Sequence, residues 1–205
     1  MLREEGFELT LASRTREKVE AAAEELGAAA VAADLAREED CQRVVRAHAD
    51  RFRRLDVLVN SAGMGIGARL DDISAKQWDL QLNVNLRAAF LVTRAALPLL
   101  REARGLVVNL SSIVGTTAAP ALAAYGAAKA GLIALTRSIN AEAADDFVRA
   151  TAICPGFVDT PMTAWTGMRS DEMIQPADCA EIVRMLLRLS ARARIPEIVV
   201  ERISV

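Results

Sequence analysis

Short apolar runs rich in β-branched residues alternate along this chain with stretches of helical periodicity, and that alternation narrows the fold more than any other feature. The runs are 7–12, 28–33, 55–59, 106–110, 148–154 and 197–200. Between them lie segments charged on one side and rich in alanine or leucine on the other. One covers about 16–26 and is stopped by Gly27, and a second covers about 38–53. A long one starts at Ser74, a good N-cap, and runs toward Arg101, with Pro98 marking a kink or a last turn. The fourth carries Tyr125 and Lys129, and the last spans about 176–189. Strands alternating with helices make βαβ units, so the chain predicts an α/β fold whose parallel sheet has helices on both faces. Its 205 residues, 52% hydrophobic, suit one domain over 1–205 with a sizeable core.

Composition excludes several function classes. Twenty-five basic residues against 27 acidic ones leave no electrostatic footprint for nucleic acid or an anionic membrane. Cys41, Cys154 and Cys179 are widely spaced and make no C-x-x-C pair, which argues against a disulfide framework and a thiolate metal site. They read as free thiols of a reducing, cytoplasmic compartment. His48 is the single histidine, so neither a histidine-ligated metal nor a Ser-His-Asp triad is available. The first ten residues carry charge where a signal peptide needs an apolar run. The most apolar long stretch, 84–100, is interrupted by Asn85, Arg87 and Arg94 and does not suit a membrane span.

The chemistry concentrates in 105–135, GLVVNLSSIVGTTAAPALAAYGAAKAGLIAL. A buried-type strand leads to Ser111 and Ser112, then to a small-residue loop, then to a helix with Tyr125 and Lys129 four residues apart. That spacing puts phenol and ammonium on one face, one turn apart. A phenol near pKa 10 is a poor base at neutral pH, and a neighbouring cation is expected to lower it. Ser112, at the carboxyl end of its strand, can face Tyr125 and hold an alcohol or carbonyl oxygen. Such a site moves a proton on and off a carbinol oxygen. Ligands of open parallel sheets sit beyond the carboxyl ends of the strands. There the first visible strand ends in Ser13-Arg14-Thr15, without an acid. In a dinucleotide-binding unit, an acid there binds a ribose 2'-hydroxyl and an arginine accommodates a 2'-phosphate, so if this is such a unit NADP(H) is expected ahead of NAD(H).

The strand, paired serines, loop and Tyr-x-x-x-Lys helix resemble the short-chain dehydrogenase/reductase family, with Ser112, Tyr125 and Lys129 on its catalytic serine, tyrosine and lysine. The resemblance implies a Rossmann-type doubly wound sheet, and it covers nearly the whole chain. It puts Asn85 of NVNL on the family's fourth catalytic residue, the asparagine that supports a water relay to the lysine. Asp34, followed by Leu35, falls where the family's acid meets the adenine edge, although alone it could simply cap the next helix. Asn60-Ser61-Ala62-Gly63 looks like the family's Asn-Asn-Ala-Gly cofactor segment, with Ser61 a mild departure. Pro155-Gly156-Phe157-Val158-Asp159-Thr160 matches the family's PG-x-(V/I)-x-T, whose threonine and preceding backbone meet the nicotinamide carboxamide. The implied activity is hydride transfer between a carbonyl and a secondary alcohol, with no metal. The implied assembly is a homodimer or homotetramer through the helices near Ser74 and Leu122.

The family's opening strand, glycine-rich T-G-x-x-x-G-x-G loop and first helix have no counterpart near Met1. LREEG reads as the tail of that helix, and Met1 as an internal methionine with roughly 25 residues, about one strand, loop and helix, preceding it. Such a gap would expose apolar surface and two rows of unpaired backbone groups in mid-sheet, and would weaken folding and nucleotide binding. Met162, Trp165, Met168 and Met173 form an apolar wall in the variable segment 161–175, suiting an apolar or acyl-type carbonyl substrate. The closing PEIVVERISV resembles the last strand of 3-oxoacyl-reductase-like members without their frequent glycine-rich ending, so that analogy does not assign the substrate. The alternative is a non-catalytic nucleotide-sensing or scaffold member of the same fold.

Overall fold

The computed structural model describes residues 1–203. Strands β1 (Thr10–Ser13), β2 (Ala29–Ala32), β3 (Val57–Asn60), β4 (Leu106–Leu110), β5 (Arg149–Pro155) and β6 (Glu197–Val200) alternate with helices. These are α1 (Arg16–Leu26), α2 (Glu38–Phe52), α3 (Ala75–Leu82), α4 (Ala88–Ala103), α5 (Ala123–Glu142) and α6 (Pro176–Leu187). All strand pairs are parallel. Their grouping departs from one continuous sheet. β1 and β2 form a two-stranded sheet, while β3-β4-β5-β6 form a four-stranded one. A cavity of about 700 Å³ separates them, lined by 7–13 on one side and 54–62 on the other. Apolar side chains of α1, α2 and α4 close it, among them Val19, Val45 and Val92. The expected mid-sheet gap is thus present, with the edges of β1 and β3 facing it.

Helix limits follow the sequence closely. Gly27 ends α1 in the left-handed region at φ 60°, its N–H returning to Ala23 and Glu24. Ser74 caps α3 with a reciprocal Gln77 bond. The long helix expected from Ser74 to Arg101 is instead divided by a π-helical turn over Asn83–Arg87. The cause is Asn85, whose Nδ2 donates to Gln81 O at 2.9 Å, an insertion of a side chain into the helical ladder. α4 then continues through Pro98 to Ala103.

Strand limits shift where the partner dictates. The β1 ladder begins at Thr10 because its partner β2 begins at Ala29. β3 ends at Asn60, paired with Asn109, rather than at 59. The core sits on the four-stranded sheet. Val107 and Ala150 face α2, α4 and α5, packing with Cys41, Leu91, Leu100 and Ile139. Leu106, Val108 and Ile153 face the other way, against Val183 and Leu186 of α6. The strict alternation along β4 is the period of two expected of a strand covered on both faces.

Candidate active site

β4 delivers Ser111 and Ser112 to the edge of the core. Ser111 N–H extends the ladder to Ile153 O at 2.7 Å, and its hydroxyl donates to Lys129 O at 2.9 Å. Ser112 is extended and its oxygen accepts Val114 N–H, capping a short 3-10 turn over Ile113–Gly115. That turn lies directly on α5, which two glycines allow. A Cβ on Gly115 would stand 2.8 Å from Lys129 C, and one on Gly126 would stand 3.2 Å from Val114 O. The contact brings Ser112 to the face of α5 that carries Tyr125 and Lys129.

Lys129 is 4% exposed. Its Nζ donates to Leu110 O at 2.6 Å and stands 5.6 Å from the centre of the Tyr125 ring. Asn85 is also buried. Its Oδ1 accepts Met64 N–H at 3.0 Å, and its Nδ2 donates to Met64 O at 2.8 Å. Gly63 closes the cluster, since a Cβ there would lie 2.9 Å from Asn85 Oδ1 and 3.6 Å from Lys129 Nζ. Ser112, Tyr125, Lys129, Asn85 and Gly63 therefore converge.

The family model described as short chain dehydrogenase matches residues 1–170. The chain belongs to the short chain dehydrogenase family. Membership places it among the oxidoreductases. An uncharacterized oxidoreductase of Staphylococcus epidermidis is 31% identical over 97% of this chain and 88% of that protein. An uncharacterized oxidoreductase of Staphylococcus aureus is 30% identical over 98% of this chain and 88% of that protein. Among solved structures, the alcohol dehydrogenase of the archaeon Thermococcus sibiricus complexed with 5-hydroxy-NADP superposes with a TM-score of 0.89 at 28% identity. That match covers 97% of this chain and 87% of the archaeal one. The likeness includes the α/β architecture with parallel strands flanked by helices.

Electrostatics within this short chain dehydrogenase differ from the simple expectation of a lowered phenol. Burial raises the Tyr125 pKa above its ordinary 10.0, and the Ser112 hydroxyl offsets part of that. Burial also lowers Lys129 to about 8, a displacement that the thiol of Cys154 partly opposes. Desolvation thus dominates at both groups. Cys154 itself is pushed up to about 11, chiefly by burial.

The other expected positions lie around this cluster. Ser13 ends β1, and Arg14 and Thr15 follow it, both exposed. Asp34 and Leu35 follow β2. Asp34 does not cap α2, whose N-cap is Arg37; its Oδ1 instead accepts Ala36 N–H at 3.2 Å. No hydrogen bond joins this group to Tyr125 or Lys129 among the described residues, and the cavity beside β1 lies between them. Ala62 is exposed beside Gly63. Pro155 ends β5, and Gly156 just beyond it donates its N–H to Val200 O at 2.9 Å. Val158 bridges to Ile174, and the Thr160 hydroxyl donates to Val158 O at 3.4 Å.

The Asn60 side chain turns inward. Its Nδ2 donates to Asn109 Oδ1 at 2.8 Å, and Asn109 Nδ2 donates to Thr136 Oγ1 at 2.8 Å. This buried relay ties β3, β4 and α5 together beneath the site, and sequence reasoning missed Asn109 and Thr136. The available signal was an asparagine inside the apolar run 106–110. Among the described residues no cluster of His, Cys, Asp and Glu could hold a metal ion, and no helix is long and apolar enough to cross a membrane.

Proposed function

We propose that this single-domain chain is an NADP(H)-dependent oxidoreductase that interconverts an apolar carbonyl compound and its secondary alcohol. The observation that carries the reading is the convergence of Ser112, Tyr125, Lys129 and Asn85 around Gly63 and Gly65. When bound, the nicotinamide supplies the hydride. Tyr125 gives its phenolic proton to the carbonyl oxygen in reduction and accepts it in oxidation. Ser112 donates to the same oxygen and polarises it as charge develops. Lys129 presents an ammonium with N–H groups beyond the one spent on Leu110 O. It would hold the ribose hydroxyls of the nucleotide, and its positive charge would favour the phenolate. Asn85 fixes the Met64 backbone beside Lys129 and supports a water route from that ammonium to solvent.

The residues fit the two ends of a dinucleotide. Arg14 is exposed, stands in no ion pair among the described residues and follows β1, where a 2'-phosphate is expected. Asp34 and Leu35 flank the adenine side, and Asn60, Ala62 and Gly63 line the approach to the middle. Pro155, Gly156, Val158 and Thr160 offer backbone and hydroxyl groups to the carboxamide. Among the described residues no glycine turn heading a helix stands between these ends for the diphosphate. The second reading is a nucleotide-sensing or scaffold member without catalysis. Apolar substrate preference rests on Met162 and Trp165, 45% and 73% exposed, with Trp165 edge-on to Phe157 at 6.3 Å.

The test is a fluorescence titration with NADPH and NADH, followed by turnover on a panel of apolar ketones and aldehydes. NADPH should bind more tightly, and Arg14→Glu should reverse the preference. Tyr125→Phe should keep binding and lower kcat/KM by about 10² to 10⁴. Binding without turnover on any carbonyl would support the scaffold reading. Turnover unchanged in Tyr125→Phe would sink the enzyme reading.

A further inference from the structure

Gln81 is 0% exposed, an unusual place for a glutamine with no role in the site as read so far. Its carboxamide grips one residue of the opposite loop at two points. Oε1 accepts Ile66 N–H at 2.9 Å, and Nε2 donates to Ile66 O at 3.3 Å. Asn85, one helical turn on, makes the same two bonds to Met64. Residues two apart in an extended segment present their backbone groups on the same side. Two carboxamides at i and i+4 therefore pair with the loop as an adjacent strand would. Gly65, held between them, faces the Tyr125 ring, since a Cβ there would lie 3.8 Å from Tyr125 Cδ2. Ala68 N–H fastens the far end of the loop to Ala121 O at 2.9 Å, just ahead of α5.

We infer that Gln81 is a positioning residue, whose two-point bond to Ile66 holds the 63–68 loop as a wall over the Tyr125 ring and so controls the access of water to the phenol. The inference rests on the proposed role of Tyr125 in proton transfer, but the tether itself exists without that role. Groups facing the phenol are Lys129 on its own helix and the Ser112 hydroxyl from the β4 end, with the Cys154 thiol of β5 acting on Lys129. Burial dominates these influences on Tyr125, so opening the wall should let the phenol ionise more readily.

Tyr125 is the single tyrosine of the chain, so phenolate absorbance reports on it alone. In the unaltered protein, the Ile66 amide should exchange with solvent about tenfold or more slowly than the untethered amide of Gly65, because Gln81 is its acceptor. In Gln81→Met, which keeps the length and removes both bonds, that protection should vanish. The Tyr125 titration midpoint should also fall by about half a pH unit or more. A folded Gln81→Met variant with an unchanged midpoint would overturn the proposal. So would rapid Ile66 exchange in the unaltered protein, which decides the matter even if the variant fails to fold. Both readouts need no cofactor or substrate, so unchanged turnover in Tyr125→Phe would defeat the enzyme reading and leave the tether standing or falling on its own.

Discussion

Lys129 illustrates how far one side chain can be placed against its own stability. Its ammonium is buried beside a single carbonyl, and its pKa drops from 10.5 to about 8. Between those two values the unfolded chain holds a proton that the folded chain has released, so this group adds stability as pH rises through that window. Below about pH 8 both states are protonated and the buried charge costs about 3 kcal/mol at 1.36 kcal/mol per unit. Tyr125 acts in the opposite sense only above 10, where the folded chain keeps a proton that the unfolded chain loses. Urea unfolding of the parent and of Lys129→Met at pH 7 and pH 10 isolates the lysine. The parent should gain about 2 to 3 kcal/mol relative to the variant between those two pH values. Parallel profiles would show that the ammonium is solvated in solution. The pairing of Tyr125 with Lys129 was legible in the four-residue spacing, but the sign of the phenol shift was not. That sign depends on the depth of burial, which is set by residues far away in sequence.

At the scale of elements, the site depends on how closely the Ile113–Gly115 turn can approach α5. Gly115 and Gly131 both face crowded neighbours, but of different kinds. A methyl on Gly115 would meet backbone, 2.8 Å from Lys129 C and 3.0 Å from both Ala130 N and Lys129 O. On Gly131 it would meet the tip of Leu86, 2.7 Å from Cδ2, which can rotate away. Gly115→Ala should therefore cost about 1 to 3 kcal/mol and separate Ser112 from Tyr125, whereas Gly131→Ala should cost less than about 1 kcal/mol. Thermal melting ranks the two, and equal losses would show that the turn does not press on the helix. The order of strands and helices was readable from periodicity, and so was the α5 helix on which Tyr125 and Lys129 sit. The break between α3 and α4 was not, because nothing in sequence shows that the Asn85 side chain will turn back to bond Gln81 O. Gln81, Asn85 and Asn140, the last gripping Ala150 N–H and O at 2.9 and 2.8 Å, look like ordinary polar helix positions in sequence. Their burial is created by backbone that approaches from elsewhere.

The molecule as a whole has two sheets joined through helices. β1 and β2 share one ladder, and a two-stranded sheet is marginal without packing. That packing comes from α1 and from α2, whose Cys41 and Val45 meet Leu91 and Val92 of α4. Glu38 of α2 adds ion pairs to Arg87, at 3.4 Å, and Arg94, but exposed pairs of this kind contribute little. Across the 700 Å³ cavity there is no ladder between β1 and β3. β4 and β5, by contrast, are buried on both faces and paired on both edges. The two halves should accordingly open with different free energies. Hydrogen exchange at low denaturant should show amides of 29–32 exchanging about a hundredfold or more faster than those of 107–109 and 150–153. The pattern should persist in Val45→Ala, which weakens the α2–α4 joint, with the gap between the halves widened and exchange in β4 and β5 unchanged. Uniform exchange across all these strands would mean that the helices alone bind the two sheets into one cooperative unit. Arg14 would then be held as firmly as Tyr125. Under the expected pattern, the half carrying Arg14 is the looser one, and if NADPH binds across both halves as proposed, it should slow exchange at 29–32 far more than at 107–109.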